Sequence, residues 1–382
     1  MNDIYFDNSA TTPIRREVIG VMSRMMENLY GNPSSLHSRG VEAERVITEA
    51  RQNILRAMKI RAAQNAEIIF CGSGTEANNL AVFGTVRAKN KKSKRVITTD
   101  SEHPSVLEPL KRLESEGVEV IRLSTRGGVI DIAELTAAVT PDTMLVSIML
   151  VNNETGALYD VKTVFNTVKR LNPAAVTHCD AVQGFGKILF SPHDYGADLM
   201  SVSAHKIHGP KGIGALYCNK SVITSRRLIP HIYGGGQESG LRSGTENTVG
   251  IAGFGEAVKY TMDLTNVTSL RDYFIAKLPP EITVNTPSGK YVPYIVSITL
   301  PDIKSETMLH FLSGKGIYVS SGSACASNTG HISYTLLNFG LDNRAADCTL
   351  RISFTDTNTT EQIDTLIAEL NNGLNSLIRI RK

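Results

Sequence analysis

Nothing in this sequence approaches the roughly 18 consecutive apolar residues that a membrane-spanning helix requires, so insertion into a bilayer is not expected. CxxC spacings are also missing. The five cysteines, Cys71, Cys179, Cys218, Cys325 and Cys348, are odd in number and far apart, which fits neither a disulfide scaffold nor a structural zinc site. Charge of one sign is scarce: a formal net charge of +3 over 382 residues makes no basic stripe. The local cluster of Lys89, Lys91, Lys92, Lys94 and Arg95 reads as a solvated helix end, and direct nucleic-acid binding is not expected. The opening Met1-Asn2-Asp3-Ile4-Tyr5-Phe6 lacks a basic segment followed by an apolar one, so no secretory leader is expected, and the expected address is the cytoplasm. Internal repeats and low-complexity linkers are absent as well, while an apolar fraction of 41% with 20% charged residues suits a globular chain.

What the sequence does contain, between residues 67 and 217, is an alternation of short β-branched runs with helix-like segments. The runs fall at 67–70, 95–99, 119–123, 144–150, 176–179 and 199–202, and amphipathic stretches at 76–89, 106–116 and 161–171 lie between several of them. Such alternation predicts βαβ crossovers and an α/β fold whose mostly parallel sheet is covered by helices on both faces. Ligands in such sheets sit beyond the carboxyl ends of the strands. That is where Ser73-Gly74-Thr75, Glu102-His103, Asn152-Asn153-Glu154, Asp180 and Ser203 fall. After about Gly255 the rhythm changes to a long helical stretch, then strands near 296–300, 317–319 and 350–354, with helices near 306–313 and 361–377. This predicts a second, smaller α+β domain.

Three segments carry chemistry. Residues 68–77 read as a strand, a small-residue turn and a helix start, where backbone N–H groups and the positive helix end favour a phosphate. Within it, Gly72-x-Gly74-x-x-Ala77, with Asp100 ending the next strand, also imitates a dinucleotide fingerprint. Alone, the segment fits either ligand or an empty βα turn. Residues 198–214 place Ser203, His205 and Lys206 at the abrupt end of an apolar strand, followed by glycines and a proline that hold the chain in turns. A lysine there, partly desolvated and close to other cations, can act as an amine nucleophile toward an aldehyde. The competing readings are a solvated surface lysine and, from His205-x-x-His208, a metal pair that lacks a carboxylate or cysteine at ligand spacing. Residues 176–183 put Asp180 at another strand end. A carboxylate there can keep a pyridine nitrogen protonated, an attraction of roughly 4 kcal/mol before desolvation, or it can cap a helix.

Taken together, the motifs spell a family. They are Tyr5-Phe6-Asp7-Asn8-Ser9-Ala10-Thr11-Thr12-Pro13, Gly31-Asn32-Pro33-Ser34-Ser35-Leu36-His37, Ser73-Gly74-Thr75-Glu76, Glu102-His103, Val151-Asn152-Asn153-Glu154, Asp180-Ala181-Val182-Gln183, Ser203-Ala204-His205-Lys206, Gly234-Gly235-Gly236-Gln237, Arg242-Ser243-Gly244-Thr245 and Ser320-Ser321-Gly322-Ser323-Ala324-Cys325. In this order, nearly end to end, the chain resembles the cysteine desulfurases of the class V aminotransferase superfamily, pyridoxal-phosphate enzymes of fold type I. The resemblance implies a seven-stranded large domain over residues 14–255. A small domain would comprise residues 1–13 and 256–382 and carry a mobile catalytic loop at about 320–332.

It also implies roles at the matching positions. Lys206 would hold the pyridoxal 5'-phosphate covalently, His103 would stack on its ring and help move protons, Asp180 would pair with the ring nitrogen and Gln183 with the phenolic oxygen. Gly74, Thr75, Ser203 and His205 would hold the phosphate, joined by Thr245 from the second subunit of a homodimer. Asn153, on the cofactor side as well, and Arg351 would hold the carboxylate of the substrate, L-cysteine, a planar anion suited to a guanidinium fork. Cys325, in a run of small residues that packs little, would take the sulfur as a persulfide and pass it to an acceptor protein for iron–sulfur cluster assembly or another thiolation. The other four cysteines read as small buried hydrophobes, and no metal site is expected.

The chain departs from the family pattern at Ser239, where Arg is common after Gly235-Gly236-Gln237-Glu238, at Ala326, where Thr is common, and at Asn328-Thr329-Gly330-His331, in place of an acidic-proline turn. Those departures put in doubt a salt bridge at residue 239 and the docking of the loop. The sequence ends at Lys382 without the longer tail that some members use to dock a scaffold, so the acceptor stays open. Competing readings are selenocysteine lysis or transamination on the same scaffold, a nicotinamide dehydrogenase built on the Gly72 fingerprint, and a binding module without activity.

Overall fold

The computed structural model describes residues 3–60, 66–88, 94–287, 289–322 and 332–380. Of the basic cluster, Lys89, Lys91 and Lys92 lie outside them. Along the chain the strands are β1 (Ile4–Tyr5), β2 (Ala66–Cys71), β3 (Arg95–Thr99), β4 (Glu119–Leu123), β5 (Thr143–Met149), β6 (Val176–Asp180), β7 (Leu199–Ser203), β8 (Gly214–Asn219), β9 (Thr283–Val284), β10 (Ile295–Thr299), β11 (Ile317–Tyr318) and β12 (Thr349–Ser353). β2 to β8 form one seven-stranded sheet in the spatial order β2-β8-β7-β6-β5-β3-β4. Only β8 runs antiparallel to its neighbours in this sheet, β2 and β7. The mostly parallel sheet expected from the alternation is therefore present.

The apolar runs explain why these segments become strands buried on both faces. In β2, Ile68 and Phe70 join one apolar core while Ile69 and Cys71 join the other, and in β5 Val146 and Ile148 face away from Leu145 in the same way. That period of two, with apolar residues at both phases, suits a sheet with helices on each side. The helix Gly74–Val86 is itself buried at most of its positions, and Ser73 caps its start by accepting from Glu76 N at 3.1 Å. The chain leaves β3 to pair β4 on one side and returns as β5 on the other. The carboxyl ends of β3 and β5 consequently border a crevice where the connections diverge, the place such sheets hold ligands.

A second layer is built from a three-stranded antiparallel sheet, β12-β10-β9, and from β1 paired parallel with β11. Helices Ser305–Ser313 and Thr360–Ser376 pack with it. Phe354 meets Phe6 and Phe274 edge-on at centroid distances of 5.5 and 5.7 Å, contacts worth about 0.5–1.5 kcal/mol each beyond their buried area. Phe6 is thereby fixed, and the residues after it, Asp7 to Ala10, are delivered to the crevice.

Beneath the crevice, His178 of β6 is fully buried between two serine hydroxyls, Ser147 Oγ at 2.8 Å and Ser201 Oγ at 2.9 Å. Burial pushes its pKa down to about 3, far under the ordinary 6.5 or so of an unfolded histidine. As pH falls below about 6.5 the unfolded chain takes up this proton before the folded one does, so stability is lost down to about pH 3. The expected slope is about 1.4 kcal/mol per pH unit. Urea titrations between pH 6 and 4 check this: a His178→Asn variant, whatever its own stability, should show a shallower pH dependence by that amount.

Candidate active site

The carboxyl ends of five strands, β2, β3, β5, β6 and β7, meet segments at Ser9-Ala10, Tyr334 and Arg351 in a cavity of about 220 Å³ lined by Gly74, Thr75, His103, Asn153, Asp180, Gln183, Ser203, His205, Lys206 and Arg351, among others. Every one of the residues named as lining it was singled out by sequence. Two other expected residues remain, Thr245 and Cys325. Thr245 is exposed and does not line the cavity of its own chain, and Cys325, with Ala326 and the 328–331 turn, lies outside the described residues.

One end of the cavity is made for an anion. The helix Gly74–Val86 points its first N–H groups at it, and Ser203 Oγ, at the end of β7, is buried without a hydrogen-bond partner. Close packing forces the small residues here. A Cβ on Gly74 would come within 2.9 Å of Val182 Cγ2 and 3.3 Å of Ser203 Cβ, and one on Gly214 within 2.5 Å of the Ser73 carbonyl carbon. His205 bonds Thr11 Oγ1 at 3.3 Å. Burial, reinforced by Lys206, Lys211 and Lys187, lowers its pKa to about 4 and leaves a neutral ring beside the anion end.

Across the floor, Asp180 is aimed by two donors. Val182 N reaches Oδ1 at 3.0 Å and Asn78 Nδ2 reaches Oδ2 at 2.8 Å, which leaves lone pairs on both oxygens for a further donor. His103 caps the helix Pro104–Ser115: its Nδ1 accepts from Ser105 N at 3.1 Å. A backbone N–H can only donate, so the neutral ring carries its proton on Nε2. Burial holds that ring below the ordinary histidine pKa, Asp180 opposing the shift and Lys206 adding to it.

Lys206 closes the one-turn 3₁₀ segment Ala204–Lys206 that follows β7. Its Nζ donates to the carbonyls of Ser9 and Ala10, the latter at 2.9 Å. Arg351 of β12 comes from the second layer and is 2% exposed. Its Nη1 donates to the Asn153 carbonyl at 2.8 Å, its Nη2 pairs with Asp7 Oδ1 at 2.7 Å, and its Nε has no partner. Ser320 exchanges backbone hydrogen bonds with Arg351, and Ser333 Oγ donates to Glu154 Oε2 at 2.5 Å.

The rival readings of the motifs fare differently. The Gly72 N–H is taken by the Glu76 carboxylate at 2.8 Å, and Asp100 Oδ1 accepts from Thr125 N at 3.1 Å and Thr125 Oγ1 at 2.6 Å. Neither is turned to a dinucleotide. His208 Nδ1 bonds the Pro13 carbonyl at 2.9 Å, and among the described residues no group of three His, Cys, Asp or Glu could hold a metal. At Ser239 itself the hydroxyl donates to Glu67 Oε1 at 3.4 Å, and next to it Arg51 forks onto Glu238 at 3.0 and 3.1 Å. Cys71, Cys179, Cys218 and Cys348 are all buried, as expected of small hydrophobes. Sequence reasoning passed over Asn78, Ser105, Asp7 and Lys187; the one signal for the first was a pair of asparagines inside an otherwise apolar helix.

An unpartnered hydroxyl at a helix start, a carboxylate with lone pairs to spare, a strand-end lysine and a buried arginine are the donor set that pyridoxal phosphate and an amino-acid substrate require. The residues fit the group. The aminotransferase class-V family profile matches residues 4–366, and the chain belongs to that family, whose members depend on pyridoxal phosphate. Its relatives narrow the placement to the cysteine desulfurases. The chain is 38% identical to the cysteine desulfurase IscS of Dictyoglomus turgidum, over 87% of this chain and 85% of that one. It is 39% identical to the IscS of Colwellia psychrerythraea, over 94% and 90%. Among solved structures, a NifS-like protein superposes with a TM-score of 0.91 at 35% identity over 98% of this chain and 100% of the other. SspA in complex with cysteine gives 0.83 at 30% identity over 93% and 100%.

Proposed function

We propose that the chain is a pyridoxal-phosphate-dependent cysteine desulfurase that converts L-cysteine to L-alanine and carries the sulfur away as a persulfide on Cys325. The observation that carries this reading is the convergence of Lys206, Asp180, His103 and Arg351 from four separate parts of the chain on one cavity. Bound there, pyridoxal phosphate supplies an aldehyde that captures amino groups and a protonated ring that draws electrons from the adjoining carbon. Gly74, Thr75, Ser203 and His205 would hold its phosphate, Asp180 its ring nitrogen, Gln183 its phenolic oxygen and Lys206 its aldehyde carbon. His103, with a proton on Nε2, would stack on the ring.

Arg351 receives the substrate carboxylate with Asn153, and Ser320, which exchanges backbone hydrogen bonds with Arg351, precedes in sequence the segment that carries Cys325. Cys325 is three residues beyond Gly322, within about 10 Å of extended chain. Its thiolate attacks the substrate sulfur. The S–S bond forms as the carbon–sulfur bond breaks, and the electron pair of that bond stays with the carbon fragment, which takes up a proton and leaves as alanine.

A second copy of the chain completes the site. Thr245 is exposed beside Ile232 and Tyr233, large apolar residues that are also exposed. Its loop is pinned by Arg242 to Glu76 at 2.8 Å, a rigid mount suited to reaching a neighbour's phosphate. The persulfide passes to a separate acceptor protein for iron–sulfur cluster assembly or another thiolation, and the cytoplasm is the compartment in which a free thiol of this kind survives. No helix among the described residues is long and apolar enough to cross a membrane. The large domain spans 14–255, and the small one 1–13 with 256–382.

The deciding experiment incubates the purified holoenzyme with L-cysteine and a thiol reductant and measures alanine and sulfide, which should appear in equal amounts. Pyruvate and ammonia in place of alanine would rule the reading out.

A further inference from the structure

We propose that Lys187 is a positioning residue for this site, holding the Gln183 amide so that its donor end, Nε2, faces the cavity beside Lys206. The inference rests on the reading of Gln183 as the partner of the cofactor's phenolic oxygen. Lys187 lies in the turns that follow β6 and is 6% exposed. Lysines are almost never so buried without a partner that needs them.

The partner is Gln183. Lys187 Nζ donates to Gln183 Oε1 at 3.1 Å and sits 4.8 Å from the centroid of the Tyr294 ring. Tyr294, fully buried, donates its hydroxyl to the Gln183 carbonyl at 2.8 Å. On the far side Gln183 Nε2 donates to the Ser9 carbonyl at 2.9 Å, the same oxygen that Lys206 Nζ reaches. Gln183 is thus held at its backbone, its oxygen and its nitrogen.

A side-chain amide has one accepting end and one donating end, and a lysine head group is a donor. Facing Oε1 toward Lys187 therefore turns Nε2 toward Lys206. Burial pushes the Lys187 amine well below the ordinary lysine range, with Lys206 and Arg351 adding to the effect. The amine keeps N–H bonds in either protonation state, so the arrangement survives its titration. A pocket of about 10 Å³ is lined by both Lys187 and Lys206, with Arg15, His208, Tyr260 and Asp356 among others.

The test follows the visible cofactor absorbance of the holoenzyme against pH in Lys187→Met, Lys187→Gln, Gln183→Ala and the Lys187→Met/Gln183→Ala double variant. A donor to the phenolic oxygen favours its anionic form and lowers the midpoint of that titration, so losing a correctly turned Nε2 raises it by about one pH unit. Lys187→Met and Gln183→Ala should raise the midpoint alike, and the double variant no further. Lys187→Gln, which retains an N–H donor without charge, should stay near the unsubstituted enzyme. Thermal midpoints of the cofactor-free proteins show which variants fold, and Lys187→Leu takes the place of Lys187→Met if that one does not. A normal midpoint in Lys187→Met beside a raised one in Gln183→Ala overturns the role of Lys187, as does a Lys187→Gln midpoint raised as far as that of Gln183→Ala. An unchanged midpoint in Gln183→Ala overturns the reading of Gln183 instead.

Discussion

Alanine at position 206 is expected to lower the rate of alanine formation from cysteine by roughly 10³-fold, within the range that a single positioned proton-transfer group supplies, and to abolish the reducible covalent link to the cofactor. In the proposed reaction the lysine performs two tasks, holding the aldehyde and serving as the amine nearest the substrate carbon. Lys187 does not stand in for it, since it is buried, engaged by Gln183 Oε1 and not part of the cavity lining. Folding should be little affected. The substitution leaves the Ser9 and Ala10 carbonyls without one donor each, a cost of about 1–3 kcal/mol per group that water entering the cavity reduces. Borohydride reduction followed by peptide mass spectrometry is the check: the tagged peptide should contain residue 206 in the unsubstituted enzyme and be missing in the variant. A variant that is still tagged and still turns over would move the attachment point elsewhere.

How much of this could be read beforehand follows from what each residue has to do. β3 coincides with the β-branched run at 95–99 because a strand enclosed on both faces carries apolar or branched residues at both phases. β4 coincides with the run at 119–123 although it is a partly exposed edge strand, its Val120, Ile121 and Leu123 being signal enough beside Glu119 and Arg122. β8, with the sequence Gly-Ala-Leu-Tyr-Cys-Asn, shows no such run. It is a strand because β2 and β7 bond it from both sides, with Gly214 needed beneath the Ser73 carbonyl. The helix Ser38–Ala57 passed unnoticed for a similar reason: its buried residues are Gly40, Ala43, Ile47, Ala50, Ile54 and Leu55, and three of these six are too small to give an apolar contrast.

Site residues followed the same logic. Asp180, Lys206 and Ser203 stand at strand ends, where an abrupt polar residue after an apolar run is conspicuous. Lys187 gave no such signal, and Asp7, though inside the first family motif, carried no assigned role. Only the fold discloses that one is enclosed beneath Tyr294 and the other pairs with a buried arginine 344 positions away.

Cys325→Ala should likewise stop sulfur release, by roughly 10³-fold or more, while cysteine still perturbs the cofactor absorbance. In the proposed reaction the two halves fall on different residues, which is why they should separate. Substrate capture would use Lys206, Arg351 and Asn153, all of them in the cavity lining. Sulfur transfer would use a thiolate that can reach the substrate, and no other cysteine qualifies. Cys71, Cys179, Cys218 and Cys348 are all buried, none more than 2% exposed, and burial pushes all four thiols up, Cys348 to about 11. Since a thiolate and not a thiol is the nucleophile, these four are excluded by access and by ionisation together. Mass spectrometry after exposure to cysteine should find one added sulfur on the peptide that contains Cys325 and none on the others. Sulfide released at the full rate by Cys325→Ala, or an added sulfur at Cys348, would mean that the substrate's sulfur leaves without a protein nucleophile or by a different route.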